Sequence, residues 1–204
     1  MEKDNCWQCG HRSAESLFCR FCNALQPPVM DYYAFLGMPR RLKIETGELE
    51  STFYRMSRLL HPDRYHRRTP RERQYSLEAT AILNDAYRVL RDPVKRAEYV
   101  LRQEGFNIGE QRGNDVPPEL LEEVFELNEA LEELRGGDQS ARPQLEQARQ
   151  RFLAMQHDAD RELDRLFADF DARGDRQTLA SIRALLNRRR YISNLAGEVE
   201  KELL

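Results

Sequence analysis

Apolar residues recur along this chain at intervals of three and four, and Gly and Pro punctuate the runs. From Glu48 to Leu60 they fall at Leu49, Phe53, Met56, Leu59 and Leu60. From Pro70 to Leu90 they fall at Leu77, Ala81, Leu83, Ala86, Tyr87 and Leu90. Both spacings place an apolar stripe on a helix. Between them lies His61-Pro62-Asp63. Pro62 cannot easily continue a helix and pushes His61 out of αR. The pattern therefore predicts a helix hairpin whose turn presents the His61 imidazole and the Asp63 carboxylate outward. Thr69-Pro70-Arg71-Glu72 has the form of a capping box with Pro at the first helical position, which starts the second helix there. Asp92-Pro93 stops that helix and begins another, which Gly105 ends. Upstream, Asp31 to Gly37 reads as a brief helix with Tyr32, Tyr33, Phe35 and Leu36 as core.

The second half of the chain repeats the helical period. Asn107 to Asn114 is polar and Gly-containing, and a domain boundary is expected there. Pro117-Pro118 opens a helix to Arg135, stopped by Gly136-Gly137. Pro143 to Arg173 carries Leu145, Phe152, Met155, Ala159, Leu163, Leu166 and Phe170. Gln177 to Leu204, beyond Gly174-Asp175, carries Leu179, Ile182, Leu185, Ile192, Leu195 and Val199. Such spacing across short turns indicates an antiparallel three-helix bundle. No segment alternates with period two, so the fold is expected to be all-α, with no sheet beyond the N-terminal segment. The expected domains are 1–28, 29–106, a linker at 107–115, and 116–204.

All four cysteines lie within the first 22 residues, as Cys6-x-x-Cys9 and Cys19-x-x-Cys22. Two such hooks can close one tetrahedral site of four thiolates. A segment this small cannot bury a core, so a metal would supply its folding energy. Disulfides are disfavoured where no export signal precedes them. A redox Cys-x-x-Cys would accompany a βαβ pattern that is missing here. One structural zinc per chain is the favoured reading, with an iron–sulfur cluster as the alternative that four thiolates also accept. Trp7 and Phe18, each beside a ligand, are read as residues that pack over the site.

Charge is polarised rather than absent. Over 204 residues the charged fraction is 33%, the hydrophobic fraction 40% and the formal net charge -3. From Arg55 to Arg73 there are seven arginines against Asp63 and Glu72. No aromatic residues alternate with them, and the acidic remainder repels a polyanion, so an acidic protein surface fits this face better than nucleic acid. Between Val116 and Leu134 lie seven glutamates and no Lys or Arg. Leu121, Phe125, Glu126 and Glu129 recur there at helical spacing and can share a face, whereas Leu120, Val124, Leu127 and Leu131 are read as core. No apolar run approaches the roughly 20 residues of a membrane span. The first residues hold neither an apolar signal core nor an Arg-rich, acid-poor leader. A cytoplasmic protein is expected, or a mitochondrial one only if a transit peptide has been removed. A His/Asp pair without nucleophile or pocket, and glycines without a phosphate-cradling loop, argue against an enzyme.

These residues also carry a family resemblance. Asp31-Tyr32-Tyr33-Ala34-Phe35-Leu36-Gly37 resembles the opening of a J domain, His61-Pro62-Asp63 its signature loop, and Asn84-Asp85-Ala86-Tyr87-Arg88-Val89-Leu90-Arg91-Asp92-Pro93 the end of its third helix. Arg96-Ala97-Glu98-Tyr99-Val100-Leu101, with the acidic helical region after it, narrows the resemblance to HscB-type co-chaperones of iron–sulfur cluster assembly. The four cysteines resemble the zinc-bearing branch of that family. The resemblance implies that His61, Pro62 and Asp63, with Arg55, Arg58 and Arg64, meet a DnaK/HscA-class chaperone and stimulate its ATPase. It implies equally that Leu121, Phe125, Glu126 and Glu129, joined by Tyr191, bind the scaffold protein IscU. Glu122 departs from the apolar residue generally found at its position. The expected protein is a monomeric, non-enzymatic adaptor with no nucleic-acid or membrane partner and Cys6, Cys9, Cys19 and Cys22 as its zinc ligands. The rival readings are a general J-domain co-chaperone for unfolded clients and a zinc-dependent nucleic-acid-binding module.

Overall fold

The structure is a computed structural model and describes residues 5–12, 16–107 and 118–204. Seven α-helices carry the described chain: α1 (Tyr32–Leu36), α2 (Thr46–Leu60), α3 (Pro70–Leu90), α4 (Pro93–Gln103), α5 (Leu121–Arg135), α6 (Arg142–Arg173) and α7 (Arg176–Leu203). The only β pairing among the described residues is two isolated bridges, Asn5 with Arg12 and Phe18 with Leu25. Both lie in the cysteine segment, where the sequence leaves room for them. Contacts divide the chain into two compact units, Met1–Arg96 and Ala97–Leu204. The division falls inside α4. The linker expected at 107–115 lies, beyond Asn107, outside the described residues.

In the first unit, local chemistry fixes where each helix begins. Asp31 caps α1 by accepting from the Ala34 N–H at 2.8 Å. Gly37 ends it in the left-handed region at φ 66°, which costs Gly nothing and lets its N–H return to Ala34 and Tyr33. The capping box of α3 forms as its sequence predicts: Thr69 Oγ1 accepts from the Glu72 N–H, and the Glu72 carboxylate accepts from the Thr69 N–H. Leu49, Met56 and Leu60 of α2 and Ala79, Ile82, Leu83, Ala86 and Leu90 of α3 are buried. Each fully buried Leu contributes about 1.5–3 kcal/mol relative to exposure, so this seam holds the hairpin together. Leu59, Leu77 and Ala81, read as part of the apolar stripes, are exposed instead. The stripe of α3 runs through Glu72, Ser76, Ala79, Leu83, Ala86 and Leu90. It is partly polar, which is why spacing of apolar residues alone misplaces it.

In the second unit α6 and α7 form a long antiparallel hairpin, with Gly174 at φ 65° turning the chain and Asp175 capping α7. Leu120, Leu127, Ala130 and Leu131 pack with Leu145 and Phe152 of α6 and with Ile192, Leu195, Ala196 and Val199 of α7. Leu120, Val124, Leu127 and Leu131 thus serve as core, as expected; Val124 is partly buried against that cluster. The last residues of α4 join α7: Glu98 pairs with Arg190, and Arg176 donates to the Glu104 carbonyl while lying over the Phe106 ring. Surface pairs such as Arg189–Asp160 and Arg149–Glu200 add about 0–1 kcal/mol each.

Candidate functional site

The turn between α2 and α3 is built from its own three residues outward. His61 ends α2 with an extended ψ of 128°, the conformation that a following Pro imposes. Its Nδ1 accepts from the Asp63 N–H at 3.3 Å and lies 3.5 Å from Asp63 Oδ2. Pro62 then starts a single 3-10 turn, Pro62–Tyr65. The Asp63 side chain is 89% exposed, so its carboxylate is open to a partner while the backbone beneath it is held. His66 Nδ1 donates to the Asp63 carbonyl.

Three further donors reach under the turn. Tyr65, buried, donates its hydroxyl to the Leu59 carbonyl at 3.2 Å. Ser76 and Thr80 of α3 donate to the Leu60 carbonyl at 2.6 Å and 3.2 Å. These are the last carbonyls of α2, which lack intrahelical partners. Sequence reasoning missed Tyr65, His66, Ser76 and Thr80 as supports. The signal was present in Ser76 and Thr80, two hydroxyls one turn apart near the start of the α3 stripe. Arg55, Arg58 and Arg64 are all exposed, the first two on α2 and the third on the 3-10 turn.

The four cysteines come together as two copies of one device. In each hook the N–H following the second Cys returns to the carbonyl of the first, Gly10 to Cys6 at 2.9 Å and Asn23 to Cys19 at 2.8 Å. The first Cys N–H of each hook bonds across it, Cys6 to His11 and Cys19 to Ala24. Gly10 and Asn23 both take positive φ, 73° and 56°, the residue types that tolerate the left-handed region. All four sulfurs lie within 4.8 Å of one another. The Cys6–Cys22 and Cys9–Cys19 separations are 3.6 Å and 3.7 Å, against a tetrahedral edge of about 3.8 Å for Zn–S bonds of normal length. The Gln8 N–H and the Gln26 side-chain amide both point at Cys6 Sγ, at 3.4 Å and 3.3 Å. Donors of that kind stabilise a thiolate. Hydrogen bonds from the Cys22 and Phe21 backbone help hold the Cys19 thiol down at about 6. Cys22 is pushed up to about 12: the Ala24 backbone pulls it down, and burial and the three neighbouring thiols outweigh that pull. Four thiols this close resist being ionised together unless a cation sits among them, so the donor set fits a metal ion.

On α5, Leu121 and Phe125 stand one turn apart and are 55% and 71% exposed. Glu126 and Glu129 are exposed and line a groove of about 310 Å³ between α5 and α6, with Glu123 and Gln144. Glu126 also pairs with Arg151 of α6 at 3.2 Å. Tyr191 differs from the rest: it lies on α7, half-buried against the core cluster. Glu122 is exposed.

Residues 31–99 match the DnaJ domain family, and residues 116–200 match the family described as the HSCB C-terminal oligomerisation domain. The chain is 28% identical over 201 residues to the iron-sulfur cluster co-chaperone protein HscB of Mus musculus, covering 96% of this chain and 81% of that one. It is 35% identical over 130 residues to the HscB homolog of Arabidopsis thaliana, covering 63% of this chain and 51% of that one. The crystal structure of human co-chaperone protein HscB matches with a TM-score of 0.73 and 26% identity, over 97% of this chain and 98% of that chain. Among the described residues no helix is long and apolar enough to cross a membrane. With both domains matched in order and the likeness running through nearly the whole length, the chain belongs to the HscB-type J-domain co-chaperones.

Proposed function

We propose that this co-chaperone brings an IscU-type iron–sulfur scaffold to a DnaK/HscA-class chaperone and raises that chaperone's ATPase rate, without catalysing a reaction itself. The observation that carries the reading is the turn. Asp63 offers an exposed carboxylate on backbone pinned by His61, His66, Ser76 and Thr80, and a partner arginine can take such a group bidentately. The exposed Arg55, Arg58 and Arg64 flank it and suit an acidic partner surface. In the other unit, Leu121 and Phe125 expose bulky apolar side chains beside Glu126 and Glu129. Aromatic anchors rimmed by charge are the usual form of a protein-binding hot spot.

Zinc is the proposed ion at Cys6, Cys9, Cys19 and Cys22. Four thiolates close its coordination and leave no open position, so it would act structurally and supply the folding energy of a segment too small for a core. Thiols held together as ligands suit a reducing compartment, and the cytoplasm is the proposed location. The test measures ATP hydrolysis by a DnaK-class chaperone with this protein, with an IscU-type scaffold, and with both. The protein alone should stimulate, and the scaffold should add to the effect. Absence of stimulation in both arms overturns the chaperone reading; stimulation indifferent to scaffold, with no binding by calorimetry, overturns the scaffold half and favours a general co-chaperone.

A further inference from the structure

Trp7, the chain's single tryptophan, belongs to the first cysteine hook, yet its ring packs on α3. Its indole N–H donates to the carbonyl of the buried Leu25 at 2.7 Å. Its ring meets Tyr75 edge-on, 6.3 Å between centroids at 76°. The Arg71 guanidinium lies over its face at 5.1 Å. Arg71 is the second residue of α3 and Tyr75 lies one turn further on. Tyr75 adjoins Ser76, whose buried hydroxyl holds the Leu60 carbonyl at the foot of the His61-Pro62-Asp63 turn. Covalent bonds and direct side-chain contacts thus run without a gap from Cys6 to the turn.

We infer that occupation of the four-cysteine site is felt in the J domain through Trp7, which clamps the first two turns of α3. Among the described residues the cysteine cluster buries Cys6, Cys19 and Ala24, with Trp7, Cys9 and Cys22 partly buried against it. So small a core cannot hold the hooks closed without an ion. Once they open, the Trp7 ring has no fixed position, and Arg71 and Tyr75 lose an aromatic partner together. The interior of α3 keeps its apolar seam with α2, so the helix persists while its start and the turn tied to it loosen. The metal centre therefore regulates how firmly the chaperone-facing turn is held. This rests on the reading of the cysteines as a metal centre and of the turn as the chaperone contact.

Amide hydrogen exchange of the full chain tests it, in the zinc-loaded protein, after zinc removal by a chelator under reducing conditions, and after zinc is restored. Zinc removal should raise exchange over residues 70–77 by about tenfold, leave residues 82–90 unchanged, and shift Trp7 fluorescence to the red, all reversed by zinc. Trp7→Ala should raise exchange over the same residues while still binding one zinc; Trp7→Phe, which keeps a ring, should restore most of the protection. Chaperone ATPase stimulation should fall in the chelated protein and in Trp7→Ala alike. Protein that holds no zinc when loaded overturns the metal reading and this inference with it. Zinc bound normally but exchange over 70–77 indifferent to its removal overturns the inference alone. Loosening on chelation without loosening in Trp7→Ala removes Trp7 as the link.

Discussion

The Ser76 hydroxyl donates to the Leu60 carbonyl at 2.6 Å across the α2–α3 hairpin, from a position with no solvent exposure. Leu60 is the last residue of α2, and the next is His61. A hydrogen bond between residues 16 apart therefore ties the end of α2, where Pro62 stops the helix, to α3 at the foot of the exposed turn.

Removing that donor is expected to weaken the hairpin. Ser76→Ala leaves Thr80 as the remaining partner of the Leu60 carbonyl and should cost about 1 kcal/mol. Ser76→Ala with Thr80→Val leaves a buried acceptor unpaired, and the pair should cost about 2–3 kcal/mol. Urea unfolding monitored by circular dichroism reads both. A double variant with an unshifted midpoint would show that these hydroxyls do not hold the turn.

The turn itself should separate stability from function. His61→Gln and Asp63→Asn alter exposed side chains whose hydrogen bonds are confined to the loop. A cost of up to about 1 kcal/mol moves the melting temperature by only about 2–4 °C in a chain of this size. Stimulation of a DnaK-class ATPase should nevertheless vanish. Wild-type stimulation by either variant defeats the proposed role of the turn.

Much of the fold is legible in the amino-acid sequence, and particular residues show why. Pro62, Pro70, Gly37 and Gly174 act locally, through φ and the missing N–H, so a sequence displays them directly. The Thr69–Glu72 box is legible for the same reason. The cysteine spacing displays the hooks but not the positive φ of Asn23 that closes the second one. What does not show is long-range and polar. Ser76 is buried because Leu60 needs a donor, and Leu77 is exposed because Ser76 and Glu72 take the inward face. Tyr191, which the resemblance joins to Leu121 and Phe125, is half-buried against the core cluster, a placement that the spacing along α7 alone does not display.

Asp175 gives the second unit a pH dependence of known sign. Its Oδ1 accepts from the Thr178 N–H at 2.7 Å, and its Oδ2 accepts from the Thr178 hydroxyl at 2.8 Å. These bonds, the backbone one first, hold its carboxyl below the ordinary value of 3.8. A depressed carboxyl adds stability that is present above its unfolded pKa and disappears as pH falls through the folded one. Wild type should therefore lose more stability between about pH 5 and pH 2 than Asp175→Asn, which can still cap but does not titrate there. Denaturation at several pH values compares them. Parallel curves for the two proteins would remove the cap as a source of acid sensitivity.

The proposed scaffold surface divides into residues that can be cut away freely and one that cannot. Leu121 and Phe125 are more than half exposed, so Leu121→Ala with Phe125→Ala should cost less than about 1 kcal/mol of stability. If both are interface anchors worth about 2 kcal/mol each, affinity for an IscU-type scaffold should fall well over tenfold. Tyr191 packs, half-buried, against the core cluster of the second unit. Tyr191→Ala should cost about 2 kcal/mol of stability, below the ~3–5 kcal/mol of a fully buried aromatic, and its effect on binding must be read against that loss. Stimulation of the chaperone by each variant alone should persist, because the turn is untouched, while the increment added by scaffold should fall with affinity. Calorimetric titration beside a thermal melt separates the cases. Unchanged affinity in the Leu121/Phe125 double variant rules out this face as the scaffold surface. A large loss of stability in that variant would mean instead that the two side chains support the fold.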